Sequence, residues 1–132
     1  MDSVVNLSAI TDQRGSLVAL EKSDLIPFDI KRVYYLFNLP ENSRRGFHAH
    51  IKLQQFAVCI NGSCDFLLDN GNARQVVKLK SPKQGLLVDN FVWHEMYNFS
   101  SDCILLVAAS DIYKEDDYIR NYKDFIKVLE ND

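Results

Sequence analysis

Short runs rich in β-branched and aromatic residues follow one another along most of the chain, with turn-forming residues between them. Ser16–Leu20, Val33–Leu39, Gly46–His50, Gln55–Ile60, Cys64–Leu68, Gln75–Leu79, Leu86–Val88, Val92–Phe99 and Cys103–Ala109 read as strands. Asn61-Gly62 lies between two of them and signals a hairpin, because both residues accept positive φ. Asn70-Gly71 repeats the device one hairpin later. Strands this short and this closely spaced predict an antiparallel sandwich or barrel. The period then changes. Tyr118, Tyr122, Phe125, Ile126 and Leu129 fall on one face of an amphipathic helix, with Asn121 and Asp124 spaced to cap its start. The expected layout is a single domain over 1–132, with an all-β barrel over about 1–110 and one helix over about 118–130.

A length of 132 residues fits one domain that buries a core without staples. The 47% hydrophobic and 25% charged composition excludes a disordered chain. A formal net charge of −3 argues against broad nucleic-acid binding, although a local basic pocket for a small anion remains compatible with it. No apolar run approaches a membrane span, and the Met1-Asp2-Ser3 start lacks the features of a signal peptide, so a cytoplasmic location is expected. Cys59, Cys64 and Cys103 are odd in number and show no CxxC spacing. They read as buried thiols acting as small hydrophobes.

The chemistry concentrates on the three histidines. His48 and His50 stand two apart on one strand and so project to the same face, with Arg44 and Gly46 expected on that face too. His94 shares a face with Met96 and Asn98 on a later strand. Two adjacent inward histidines beside an arginine cost stability unless they are used or paired. Gly46-Phe47-His48-Ala49-His50, followed by Gln55 and Gly62, resembles the first cupin motif, and His94 with Asn98 resembles the end of the second. Cupins are jelly-roll barrels, and many hold a metal in the lumen. Here Gln55 stands where the motif has a metal-binding glutamate. Three imidazoles still suffice to hold a transition metal.

A longer set of segments is more specific. Arg44-Arg45-Gly46-Phe47-His48-Ala49-His50, Val92-Trp93-His94-Glu95-Met96-Tyr97, Asp12-Gln13-Arg14-Gly15-Ser16-Leu17 and Asp117-Tyr118-Ile119-Arg120-Asn121-Tyr122 together resemble the sugar 3,4-ketoisomerases, the WxcM-like cupins. The resemblance spans about Leu7 to Phe125. It implies a dTDP-linked 4-keto-6-deoxy sugar as substrate and a shift of its ketone from C4 to C3, ahead of transamination to 3-amino sugars. That shift removes the acidic C3 proton, forms an enediol(ate) and returns a proton at C4, so it needs no redox cofactor, and a metal is optional. It does need a base, a proton carrier and oxyanion donors.

The resemblance implies His50 as principal base, His48 as its partner in proton transfer and Tyr35 as donor to the keto or enolate oxygen. Tyr34, its neighbour, points to the opposite face and stays open as an alternative. Arg44 and then Arg14 are the expected grips on the diphosphate. Arg120 either binds the ligand or anchors the helix, His94 joins the substrate site, and Trp93 or Tyr97 is placed to stack on thymine. Such cupins pair as dimers by exchanging N-terminal strands, and the alternating Val5, Leu7 and Ala9 within Met1–Ile10 suit an edge strand. The competing readings are a metal-dependent cupin oxygenase on the three histidines and a non-catalytic sugar-nucleotide-binding module.

Overall fold

A computed structural model describes residues 4–131. Met1, Asp2 and Ser3, the start of the expected exchanged segment, and Asp132 lie outside the described residues. The strands are β1 (Val4–Asn6), β2 (Ile10–Asp12), β3 (Gly15–Leu17), β4 (Arg32–Leu36), β5 (Arg45–His50), β6 (Gln55–Asn61), β7 (Cys64–Asp69), β8 (Arg74–Leu79), β9 (Gln84–Val88), β10 (Trp93–Tyr97), β11 (Ile104–Ala109) and β12 (Tyr118–Ile119), followed by the helix α1 (Tyr122–Glu130). Two five-stranded antiparallel sheets face each other, in the orders β1-β9-β6-β11-β4 and β12-β5-β10-β7-β8. This is an all-β jelly roll, within the sandwich or barrel that the strand pattern predicts and as the cupin resemblance implies, and its lumen holds both the apolar core and the histidines.

The core follows from alternation. Ala57 and Cys59 on β6, Phe66 and Leu68 on β7, Leu86 and Val88 on β9 and Leu105 and Val107 on β11 point inward and form one buried cluster. A second cluster on the outer side of β6 joins Phe56 and Val58 to Leu7, Ile26 and Phe28. The chain between β3 and β4 thereby serves as a cover over a sheet that would otherwise be exposed. Phe56 is fully buried, and a Cβ on Gly85 would sit 2.1 Å from its ring, so glycine is needed there for close approach.

Two local expectations change. Asn61-Gly62 turns the chain, with Gly62 at φ 73, but β6 and β7 belong to different sheets. The turn is a corner rather than a hairpin, because Asn61 Nδ2 donates to the Asp102 carbonyl and Ser63 N to Ser100 Oγ, tying it to the chain before β11. Asn70-Gly71 does join a paired hairpin, β7 with β8. The helix starts at Tyr122, not near 118, with Asn121 Oδ1 accepting from Asp124 N as its cap. Residues 118 and 119 instead extend the second sheet as β12, with Tyr118 opposite His50 and Ile119 opposite Ala49. Phe125, Tyr122 and Trp93 then pack as an aromatic group between helix and sheet. Burying Phe125 contributes about 1.5–3 kcal/mol to holding the helix in place.

Residues of β2 and β3 pair only with each other among the described residues, as a ribbon that leaves Ile10 73% and Leu17 56% exposed.

Candidate active site

The middle of β5 and β10 sets the site. His94 pairs with His48 across the two strands, but Glu95 pairs with Gly46, so Phe47 is an extra residue on β5. Gly46 and Phe47 both have positive φ, at 93 and 59. A Cβ on Gly46 would lie 2.8 Å from the His94 carbonyl oxygen, so the bulge needs glycine at that point. The bulge resets the alternation. On its far side Arg45, not Arg44, lines the cavity with Gly46 and His48. Arg44 lies on the outer face, 2.8 Å from Glu95 Oε1 and 4.0 Å from the Tyr97 ring centroid.

The three imidazoles converge. Ring centroids are 4.6 Å apart for His48–His94, 5.0 Å for His48–His50 and 5.9 Å for His50–His94. Tyr118, delivered by β12, lies 4.9 Å from the His48 ring and 4.4 Å from that of His50. His48 Nδ1 donates to the Gly46 carbonyl at 2.9 Å, and His94 Nδ1 to that of Val92 at 3.2 Å. Both neutral rings therefore keep the Nε2 lone pair for chemistry. His50 is 2% exposed, and neither of its nitrogens has a hydrogen-bond partner among the described residues. Its Nδ1 does lie 3.6 Å from Asp117 Oδ2. Burial pushes His50 down to about 3, assisted by His94 and His48, and pushes His94 down to about 3 as well. His48 is lowered, again chiefly by burial. All three rings are thus neutral near pH 7, which is the form that accepts a proton.

A cavity of about 310 Å³ opens over His48 and His94, lined also by Arg32, Tyr34, Arg45, Gln55, Met96 and Tyr118. A second, of about 340 Å³, adjoins it across Arg32, Tyr113 and Tyr118 and is lined by His50 and Asp117. Gln55 Nε2 donates to Tyr34 Oη at 2.7 Å, which leaves the phenol's own proton free to point at a ligand. Burial raises Tyr34 to about 12, so it remains a donor. Arg32 crosses between the two cavities, its guanidinium 5.1 Å from the Tyr34 ring centroid, and its buried Nε has no partner among the described residues.

The arrangement departs from the sequence expectation at several residues. Tyr35 is 61% exposed on the outer face of β4 beside Phe37, and Tyr34 takes the inward position. Trp93 is buried under α1, and its Nε1 donates to Glu95 Oε2. Tyr97 lies beneath Arg44 on the same outer face, since inward positions on β10 go to His94 and Met96. Arg14 sits at the tip of the β2–β3 ribbon, paired with Asp12 at 2.6 Å. Arg120 pairs with Glu115 at 2.8 Å and covers the Tyr118 ring at 4.2 Å, at the rim of the site. His48, His50 and His94 are the expected residues that the fold brings together.

The family model described as "FdtA: WxcM-like, C-terminal" matches residues 2–130. The chain belongs to the FdtA family. It is 55% identical over 128 residues to a TDP-4-oxo-6-deoxy-α-D-glucose-3,4-oxoisomerase of Aneurinibacillus thermoaerophilus, covering 97% of this chain and 92% of that one. A 3,4-ketoisomerase of Helicobacter canadensis has 43% identity and a TM-score of 0.92, with 98% of this chain and 96% of that chain covered. A histidine-to-asparagine variant of the ketoisomerase QdtA of Thermoanaerobacterium thermosaccharolyticum, in complex with TDP-4-keto-6-deoxyglucose, has 39% identity and a TM-score of 0.92, covering 97% and 93%.

In this FdtA-family chain, Arg32, Arg45, Asp117 and Tyr118 line the cavities with no site role expected from the sequence, and Tyr34, the alternative to Tyr35, lines one of them too. A signal existed for two of them. Arg32 and Tyr34 alternate with Leu36 on β4, opposite in parity to the exposed Val33 and Tyr35. For Arg45 there was none, since the bulge that turns it inward is a property of the β5–β10 pairing.

Proposed function

We propose that the chain catalyses the 3,4-ketoisomerisation of a TDP-linked 4-keto-6-deoxy sugar. The supporting observation is a set of three neutral imidazoles, His50 and His94 buried and His48 half-buried, beside a protonated tyrosine at two adjoining cavities that also present arginines. His50 removes the C3 proton, and His48, 5.0 Å away, shares the transfer that returns a proton to C4. Asp117 faces His50 Nδ1 and orients the ring. Tyr34, held by Gln55, donates to the oxygen on which the enolate charge develops. The approach of an anionic substrate raises the basicity of the buried imidazoles when the base is needed. Arg32 and Arg45 are the arginines that line the cavity over His48 and His94, and they meet the substrate's anionic oxygens. The metal-binding atoms of His48, His50 and His94 lie within 4.8 Å of one another and suit a transition metal ion, which when bound would polarise a carbonyl oxygen.

Arg14, exposed and paired with Asp12, lines neither cavity and sits on a ribbon with exposed Ile10 and Leu17. A binding role for it therefore requires a second subunit, and we place the enzyme as a homodimer in which this N-terminal region crosses to the partner. The exposed row Val33, Tyr35 and Phe37 along the edge strand β4 offers an apolar surface for such pairing. Among the described residues no helix is long and apolar enough to cross a membrane, and a sugar nucleotide made and used in the cytoplasm fits the expected location.

The test is incubation with TDP-4-keto-6-deoxyglucose in D₂O, followed by NMR of the product. A 3-keto product carrying deuterium at C4 is expected, and the same spectrum reads the face that receives it. An unchanged 4-keto sugar at high enzyme concentration would sink the proposal. Sedimentation of the protein as a monomer at micromolar concentration would remove the role of Arg14.

A further inference from the structure

We infer that Cys59, Cys64 and Cys103 form a three-sulfur site for a soft monovalent metal ion, copper(I) being the ion this donor set suits. The three thiols come from segments distant in sequence: the end of β6, the first residue of β7 and the residue before β11. The corner at Asn61-Gly62 and the turn at Ser100–Asp102 bring them to one place, where their Sγ atoms all lie within 4.8 Å of one another. Cys59 and Cys103 are already 3.7 Å apart. They are 0%, 0% and 2% exposed, and none is in a disulfide.

Metal–sulfur bonds of about 2.3 Å in a trigonal plane place sulfurs about 4 Å apart, so small side-chain rotations close the site. Among the described residues no fourth histidine, cysteine or carboxylate joins the group. Zinc in a structural site takes four ligands, whereas copper(I) is selected by soft thiolates and is satisfied by three. Two thiolates and one retained thiol around Cu⁺ give a net charge of −1, with two protons released: Cu⁺ + 3 RSH → [Cu(RS)₂(RSH)]⁻ + 2 H⁺. The exposed turn residue Asp102 adjoins Cys103 in the chain. Cys59 is four residues along β6 from Gln55, about 13 Å. The site is therefore separate from the histidines, and it does not rest on the ketoisomerase reading.

The test is anaerobic titration of the reduced protein with Cu(I) against a chromophoric Cu(I) chelator, with X-ray absorption on the loaded sample. One equivalent captured with three sulfur neighbours is expected. Cys103→Ala and Cys59→Ala should each lose at least 100-fold in affinity, while Cys103→Ala keeps wild-type melting behaviour without copper and wild-type isomerase turnover. If Cys59→Ala fails to fold, Cys103→Ala decides alone. No capture by the wild type, nitrogen neighbours in place of sulfur, or equal capture by Cys103→Ala overturns the site.

Discussion

Oδ2 of Asp117 stands 3.6 Å from Nδ1 of His50, and the two oxygens of that carboxylate are held by the backbone amides of Lys52 and Leu53. The proposed base and the group proposed to orient it are thus built from one strand end and the turn before β12. Asp117→Asn retains an acceptor for one amide but removes the charge facing the imidazole. It should lower kcat by about 10–100-fold with little change in KM. Asp117→Glu should restore part of the loss, whereas equal turnover in both variants would leave Asp117 as an amide cap only.

His50→Asn should lower kcat by about 10²–10⁴-fold, the usual worth of a positioned general base. TDP binding, measured by calorimetry, should survive in the same variant. Near-normal turnover would move the base to His48 or His94.

The tyrosines of β4 give a paired test. Tyr34→Phe removes the donor that Gln55 positions and should cost about 1.5–3 kcal/mol of transition-state stabilisation, seen in kcat/KM. Tyr35→Phe, on the exposed face, should leave the intrinsic rate of the site unchanged. The reverse ranking would mean that the outer face carries the chemistry.

Arginines separate in the same way. Arg32→Ala should weaken TDP-sugar binding by at least tenfold, because its half-buried side chain, with Nε unpartnered among the described residues, opens on both cavities. Arg44→Ala, which breaks a partly exposed pair with Glu95, should change affinity little. Isothermal titration with TDP distinguishes the two.

Stability should depend on pH through the buried histidines. Their folded values lie near 3 for His50 and His94, below the ordinary 6.5 that applies when unfolded. Between these limits the unfolded chain binds more protons, so stability is complete above about 6.5 and falls as the pH drops toward 3. The slope is up to about 1.4 kcal/mol per pH unit for each group. Urea denaturation at pH 7, 6 and 5 measures it, and His94→Asn should be less sensitive than the wild type across that range.

Much of the fold and the histidine set was legible in the sequence, for a physical reason. Alternation of apolar residues, the Asn-Gly turns and the helical period at the C-terminus are local signals, and side chains two apart on a strand must share a face. That is enough to pair His48 with His50 and to expect an antiparallel sandwich or barrel, which the cupin resemblance narrows to a jelly roll. Direction across a sheet is not local. Whether Tyr34 or Tyr35 faces the lumen depends on which face of β4 the opposite sheet covers. Arg45 replaces Arg44 because pairing with β10 inserts Phe47 as a bulge. Trp93 goes under the helix because α1 docks on that side of β10. Tyr118 fits the helical period as well as a strand, and only its pairing with His50 makes it β12 and brings Asp117 to the imidazole. The sequence by itself determined the nine strands from β3 to β11 and the residue types proposed for the chemistry. The tertiary structure decided which of them meet, because burial and pairing reward the whole sheet rather than any one residue.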